Sequence, residues 1–196
     1  MERPLIIIIL SLFITNCFAQ DSLDFGKIKH DTAFDCAKTK TLESTFGINS
    51  ICKSKNQFEL RLTTYNRPGG GSGLIILTYN NQKWDVKKYQ NTRGALGNKL
   101  TSTYYESNND RFHEYIFKLV FDTLKNNSAF TLPNQEELNL KGNVFDGVAY
   151  KLAFKANNNF RSYWFENPET YLENNPEVIE LKKYSAIVKI LNELFY

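Results

Sequence analysis

The sequence predicts an α+β protein built on an antiparallel sheet, with two main helices over about residues 110–126 and 176–193. Three observations support this fold class. Apolar residues alternate with polar ones in several short segments, which is the period of a half-buried strand. Two longer segments repeat apolar residues every three or four positions, as amphipathic helices do. The strands come in runs rather than alternating strictly with helices, which favours an antiparallel sheet.

The alternating pattern predicts strands over residues 58–65, 74–79, 83–89, 99–105, 148–154 and 161–165. Pro68–Gly73 joins the first two as a hairpin with a long loop. Residues 90–98 are rich in turn formers and separate the next two strands. Asn157–Asn159 forms the last turn, because asparagine tolerates left-handed backbone angles. The order strand–strand–helix occurs twice, which is compatible with two related halves.

Helix ends are indicated by capping residues. Asn109 or Asp110 can cap the helix that ends at Asn126–Asn127. Its predicted apolar face consists of Phe112, Tyr115, Ile116, Leu119, Val120, Thr123 and Leu124.

Three further helix starts are predicted from the same kind of signal. Asn167-Pro168 and Asn175-Pro176 each place a capping side chain before a proline whose φ is already helical. The second pair is expected to open the helix that runs to about Glu193. An earlier helix is predicted over Asp31–Phe46, with Asp31 as its N-cap and Gly47 just past its end.

The N-terminus has the layout of a secretory signal over residues 1–19. A short polar start is followed by the apolar run Leu5–Ile14, and Cys17 and Ala19 are small residues at the positions that precede a cleavage site. An apolar core of about ten residues is half of the ~20 that span a bilayer, so we expect no transmembrane segment in the mature chain. Lipidation of Cys17 is the alternative, although Asn16 fits that signal poorly.

Export predicts a secreted or periplasmic protein in an oxidising compartment. We therefore expect Cys36 and Cys52 to form a disulfide, which would stabilise the fold by about 3 kcal/mol. Residues 20–30 are mixed and polar and are predicted to be a flexible lead-in. Residues 31–196 are predicted to form a single globular domain.

Composition and motifs argue against several classes of function. A net charge of +3 is too small to predict nucleic-acid binding. The glycine-rich loop Gly69–Gly73 is followed by Leu74 where a phosphate-binding loop needs lysine. His113-Glu114 begins like a zinc-binding helix, but Phe117 stands where the second histidine is needed. No cofactor, no metal site and no catalytic residue is assigned.

Paired carboxylates remain as an alternative. Glycoside hydrolysis needs two acids about 5 to 10 Å apart, and Asp146, Glu166 and Glu169 lie close in sequence to an aromatic segment. Glu166 and Glu169 also flank a predicted helix start, where negative charge suits the helix dipole. The alternative is therefore an envelope hydrolase that acts on glycan or cell-wall material through Asp146 or Glu166.

The aromatic segment 160–165 offers a candidate contact surface. Strand alternation puts Arg161, Tyr163 and Phe165 on one face and aromatic residues on the other face as well. Core packing explains most of these rings, because aromatics dominate cores as well as interfaces. If a contact surface exists, the residues expected in it are Arg161, Tyr163, Trp164 and Tyr171, with Gly70 and Gly71 of the glycine-rich loop beside them.

The same region resembles small exported proteins of unknown function from Bacteroidetes. The resemblance lies in Asp146-Gly147-x-x-Tyr150, a turn, the strand Arg161-x-Tyr163-x-Phe165-x-Asn167-Pro168 and a closing helix, and it covers roughly residues 143–194. It implies a periplasmic or outer-surface bacterial protein. The resemblance implies no activity for this chain and identifies no site residues in it.

These observations lead to one functional hypothesis. The chain is expected to be an exported, non-enzymatic module that binds a protein or peptide of the cell envelope, as an inhibitor or an immunity-type protein does. The sequence predicts neither the partner nor the oligomeric state. The hydrolase is the alternative, and an envelope structural protein without a ligand is a third hypothesis.

Overall fold

A computed structural model describes residues 23–25, 28–31, 36, 43–44, 46–66, 71–94, 97–106, 111–142, 144 and 146–195. In this part of the chain, the strands form one six-stranded antiparallel sheet in the order β4-β3-β2-β1-β5-β6. The strands are β1 (Phe58–Asn66), β2 (Ser72–Asn80), β3 (Lys83–Gly94), β4 (Gly97–Glu106), β5 (Val148–Ala156) and β6 (Asn159–Glu166). The helices are α1 (Arg111–Asn126), α2 (Pro168–Asn174) and α3 (Ile179–Phe195), with 3-10 turns at Ile51–Lys53 and Gln135–Glu137. The predicted α+β class is confirmed.

The strand predictions are confirmed in number and position, with one correction. β3 and β4 pair as far as Gly94 opposite Gly97, so most of the predicted turn over residues 90–98 is strand. The prediction was wrong because cross-strand pairing overrides the local turn preference of residues such as Gln90 and Asn91. The strand–strand–helix order is present as β3-β4-α1 and β5-β6-α2, at opposite sides of one sheet.

The main hydrophobic core lies between one face of the sheet and the helices. Phe58 on the central strand β1 is fully buried, with its ring centroid 6.0 Å from those of Trp84 and Phe121. Tyr184 of α3 stacks on Phe165 of β6 with ring centroids 4.0 Å apart. Burial of this apolar surface is the dominant favourable contribution to folding.

Helix α1 buries a face that only partly matches the predicted one, since Val120 and Leu124 are buried as expected. Phe117, Phe121 and Leu124 point into the core, whereas Tyr115 is 65% exposed and Leu119 is 38% exposed. The helix carries apolar residues around much of its circumference, and the large rings at 117 and 121 bury the most area. The proposed caps Asn109 and Asp110 lie outside the described residues.

The opposite face of the sheet is partly covered by the chain around residues 43–53. Phe46 packs with Leu74 and Ile76 of β2. The disulfide between Cys36 and Cys52 is present, with Cα atoms 6.1 Å apart. It ties this covering segment to its own N-terminal side.

The predicted end of the first helix is confirmed at Gly47. Its φ is +66°, and its N–H donates to the Ser44 carbonyl while the Ile48 N–H donates to the Glu43 carbonyl. This pair of bonds is the Schellman arrangement, which favours glycine. The helix start after Asp31 lies outside the described residues.

Part of the predicted lead-in packs on the domain. Leu23, Phe25 and Ile28 pack against the main core. The Phe25 ring stacks on Phe58 with centroids 5.1 Å apart. Its apolar side chain therefore holds this segment on the domain.

The first Asn-Pro pair opens a helix as predicted, since α2 begins at Pro168, but its asparagine makes no side-chain cap and the second pair does not begin the next helix. Asn167 precedes α2 in a left-handed conformation and makes no side-chain cap. α3 begins at Ile179 rather than at Pro176. Asn175 is instead the buried end of α2, and its side chain donates to the Tyr171 and Lys141 carbonyls. Both asparagines thus satisfy backbone groups of neighbouring segments instead of the helix that follows.

Candidate functional site

Three of the predicted contact residues belong to the core. Tyr163 is 1% exposed, Arg161 5% and Tyr171 9%. The Tyr163 hydroxyl donates to the Ala129 carbonyl at 2.9 Å, and the Arg161 guanidinium donates to the Leu132 carbonyl. The Tyr163 and Arg161 side chains thus hold residues 129–132 against β6.

Trp164 and Gly71 retain accessible surface. Trp164 is half-buried and lies on the other face of β6, as strand alternation predicts. Gly71 is also half-buried, and its carbonyl accepts from the Asn66 N–H at 3.2 Å. Gly70 lies outside the described residues.

The strand register places Trp164 in a group that the sequence analysis did not assemble. Trp164 is opposite Lys151, and one row further along the sheet Glu166, Ala149 and Tyr65 lie side by side. Neighbouring strands are about 4.8 Å apart, so these side chains share one face and one end of the sheet. We call Tyr65, Lys151, Trp164 and Glu166 the β1–β5–β6 strip. The Gly71 hairpin adjoins it, since Tyr65 pairs with Ser72.

The strip combines partly buried aromatic and charged groups. Tyr65 is 37% exposed, and the other members are half-buried. Burial lowers the pKa of the Lys151 ammonium, an effect that the Glu43 carboxylate partly opposes. A partly desolvated cation gains more from an incoming carbonyl or carboxylate than a fully hydrated one does. The arrangement therefore suits recognition of a polar group between aromatic neighbours.

A second charged group lies deeper on the same face and was missed by the sequence analysis. Arg61 Nε donates to Glu59 Oε1 at 2.7 Å, and the guanidinium also pairs with Glu43. Arg61 Nη2 donates to the Asn49 carbonyl at 2.9 Å. All three charged side chains are buried. The group is a structural clamp that holds the segment 43–53 on β1, and it offers no access to a substrate.

A signal for this clamp was present in the sequence. Glu59 and Arg61 alternate with Phe58, Leu60 and Leu62, and this alternation alone predicts a polar face in water. Opposite charges two residues apart on one face of a strand can instead satisfy each other under a cover. The sequence analysis did not consider a covering segment for that face.

The structure shows from which side two of the three carboxylates of the hydrolase alternative approach the sheet. Glu166 lies on the strip face next to Ala149. Tyr150, the next residue of β5, points to the helix face. Burial raises the pKa of its hydroxyl, and the negative charge of Glu169 raises that pKa as well. Glu166 and Glu169 therefore approach opposite faces of the sheet, while Asp146 is exposed. In the described part of the chain, no group of three or more histidine, cysteine or acidic residues could hold a metal ion.

The residues that carry the Bacteroidetes resemblance form a structural contact. Asn167 Oδ1 accepts from the Val148 N–H at 2.8 Å, and the Asn167 N–H donates to the Val148 carbonyl at 2.8 Å. Gly147 has a φ of +136°, and a Cβ there would lie 1.7 Å from Asn167 Oδ1. The motif thus joins the start of β5 to the end of β6.

No protein-family model matches the chain, and no curated protein matches it either. Among the described helices, none is both long enough and apolar enough to cross a membrane. Function must therefore be inferred from the residues themselves.

Proposed function

We propose that the protein is an exported, non-enzymatic module that binds a protein or peptide of the cell envelope through the β1–β5–β6 strip. The observation that carries this proposal is the side-by-side placement of Tyr65, Lys151, Trp164 and Glu166 on one sheet face. Tryptophan and tyrosine are enriched at interfaces, and flanking charges of both signs would set the orientation of a partner.

Site-specific photo-crosslinking tests the location of the contact. A benzophenone amino acid replaces Tyr65 in one variant and Tyr115 in a control, because Tyr115 is an exposed tyrosine on a helix across the sheet. In cell-envelope extract, we expect one defined crosslinked protein or peptide from position 65 and none from position 115. Equal crosslinking from both positions would contradict the proposal.

The affinity of the identified partner is then compared between variants. Trp164→Ala should weaken binding at least tenfold, because a hot-spot aromatic contributes about 2 kcal/mol or more. Tyr115→Ala should leave the dissociation constant unchanged. Circular dichroism verifies that both variants are folded. An unchanged affinity for Trp164→Ala would remove the strip as the contact surface.

Turnover of glycan or cell-wall material would favour the hydrolase instead. If purified protein released soluble sugar from such material and both Asp146→Asn and Glu166→Gln abolished the release without unfolding, the binding proposal would fail. Persistence of the release in both variants would exclude that carboxylate pair.

Export is part of the proposal. It is supported by the signal-like residues 1–19 and by the Cys36–Cys52 disulfide, since disulfides persist in oxidising compartments. N-terminal sequencing of protein from the periplasmic or secreted fraction should begin at Gln20. A lipid-modified N-terminus at Cys17 would support the lipoprotein alternative.

A further inference from the structure

The end of the sheet remote from the strip carries a concentration of exposed amide side chains. They come from the residue before β1, from the β2–β3 turn with the last residue of β2, and from the β5–β6 turn with the first residue of β6. We call them the amide row, and its members are Gln57, Asn80, Asn81, Gln82, Asn157, Asn158 and Asn159.

The sheet register makes this row continuous. Phe58 of β1 pairs with Tyr79 on one side and with Ala156 on the other. Gln57 therefore lies between the two turns, and its carbonyl accepts from the Asn157 N–H at 3.0 Å. With strands about 4.8 Å apart, the row runs from β3 to β6 as a narrow, uncharged ridge.

The side chains of the row are not used by the fold. In the described part of the chain, no hydrogen bond holds any of them. Elsewhere amides have structural tasks: Asn134 and Gln135 accept from the β6 backbone, Asn167 accepts from β5, and Asn175 closes α2. The neighbouring Asn56 also differs, since its amide donates to Glu59 Oε2 at 3.0 Å.

Turn geometry explains only part of the row. Asn81 and Asn157 have φ of 49° and 52°, which asparagine tolerates well. Gln82 has a φ of 63° at the second turn position, where glycine is favoured when both turn residues are left-handed. A long amide side chain is thus kept at a conformational cost, and such costs concentrate at functional sites.

The chemistry of the row matches a polyhydroxylated ligand. Each amide offers both a donor and an acceptor without charge, and sugar hydroxyls likewise donate and accept. We propose that the amide row binds an uncharged glycan chain laid across the end of the sheet. This site is separate from the β1–β5–β6 strip and goes beyond the proposed function.

Affinity electrophoresis of the purified protein tests the proposal. Exposed hydrogen bonds are individually weak, so the protein is displayed as a streptavidin-linked tetramer to gain avidity. The probes are the uncharged polysaccharides dextran, mannan and xyloglucan embedded in the gel. We expect at least one of these probes to retain the wild-type tetramer, with equal retention at 0.5 M NaCl.

The Gln82→Gly variant separates binding from folding. It removes the side chain and gives the turn its preferred residue, so its melting temperature should rise while retention falls at least threefold. The combined Q57A/Q82G/N158A variant should lose retention, whereas Trp164→Ala should keep it.

Three results would overturn the proposal. They are no retention by any probe, retention that is unchanged in the combined variant, or retention that is abolished by salt. The last result would assign binding to exposed lysines beside the row, such as Lys55 and Lys83. The Trp164→Ala comparison keeps this outcome distinct from failure of the strip.

Discussion

Gly147 lies against Asn167 so closely that the site has no room for a side chain. The Gly147→Ala variant should lose more than about 2 kcal/mol of unfolding free energy, because the added Cβ meets the Asn167 amide and φ is unfavourable as well. Urea unfolding measures the loss.

Gly142→Ala is the matched control for this prediction. Gly142 also has a positive φ, +89°, but its nearest neighbour would be 3.8 Å from the new Cβ. The Gly142→Ala variant should therefore lose only the cost of placing a residue other than glycine at positive φ, about 1 kcal/mol of unfolding free energy. Equal losses in the two variants would show that the Asn167 contact is unimportant.

Arg61 pairs with both Glu43 and Glu59 under the covering segment. Arg61→Met should lower the free energy of unfolding by about 3 to 5 kcal/mol, because it removes the direct ion-pair partner of two buried carboxylates. Chemical denaturation provides the measurement. Lys189→Ala is the control, since it removes an exposed ion pair and should cost about 0.5 kcal/mol or less.

Sequence analysis can predict which face of a strand a residue occupies, but not what lies over that face. The alternation in β6 correctly separated Tyr163 from Trp164. It could not show that Tyr163 meets the Ala129 carbonyl, because that contact depends on a loop thirty-odd positions earlier in the chain. Contact residues were therefore predicted among side chains that the core uses.

The disulfide makes the covering segment an element of the fold. The double variant C36S/C52S should lose about 3 kcal/mol, because the cross-link no longer restricts the unfolded chain. Its secondary structure should remain, since the main core contains neither cysteine. Denaturant unfolding with and without a reductant checks this: wild type with reductant should match the variant without it.

Strand β6 is an edge, and two of its outward N–H groups are occupied by amide side chains. The Trp164 N–H donates to Asn134 Oδ1 and the Glu166 N–H donates to Gln135 Oε1. Because open edges invite pairing with other chains, N134A/Q135A should self-associate at concentrations where wild type does not. Sedimentation velocity detects the change. Asn139→Ala, an exposed asparagine in the same connection, should behave as wild type.

Periodicity predicted elements better than their orientation. The predicted span of α1 was correct to one residue. Its predicted buried face was partly wrong, because Phe117 and Phe121 were left out of it. The helix opening at Pro176 failed for a related reason. The Asn175 side chain instead donates to the carbonyls of Tyr171 and Lys141, and no local sequence pattern identifies these partners.

Burial of two tyrosine hydroxyls links the stability of the whole molecule to alkaline pH. Burial raises the pKa of Tyr163 and Tyr184, so the folded state keeps protons that the unfolded state releases. Their contribution is complete below the ordinary value of about 10 and is lost as pH rises above it. Lys151 and Lys155 act in the opposite direction, since burial lowers each pKa.

Absorbance at 295 nm and circular dichroism, followed together, test this linkage. Tyr163 and Tyr184 should ionise only as the protein unfolds. Tyr184→Phe should show a shallower loss of unfolding free energy above pH 10, while the lysine contribution stays the same. Ionisation of every tyrosine before unfolding would contradict the assignment.

The fold class followed from the sequence, but the strand order did not. Hairpin neighbours can be predicted from short connections, and all four hairpin pairs are adjacent in the sheet. The remaining pair, β1 with β5, joins distant parts of the chain through Leu62 and Leu152. Nothing local in either strand specifies that partner.

This central pairing has a consequence for how the chain reaches its structure. β1 comes early in the sequence and lies in the middle of the sheet. Both of its edges are therefore paired only after β5 has joined the sheet. Loop closure over such a separation slows folding relative to a protein with local contacts. The apolar side chains of β1 therefore stay incompletely covered until the β5–β6 hairpin pairs with this strand. During that interval, self-association competes with completion of the sheet.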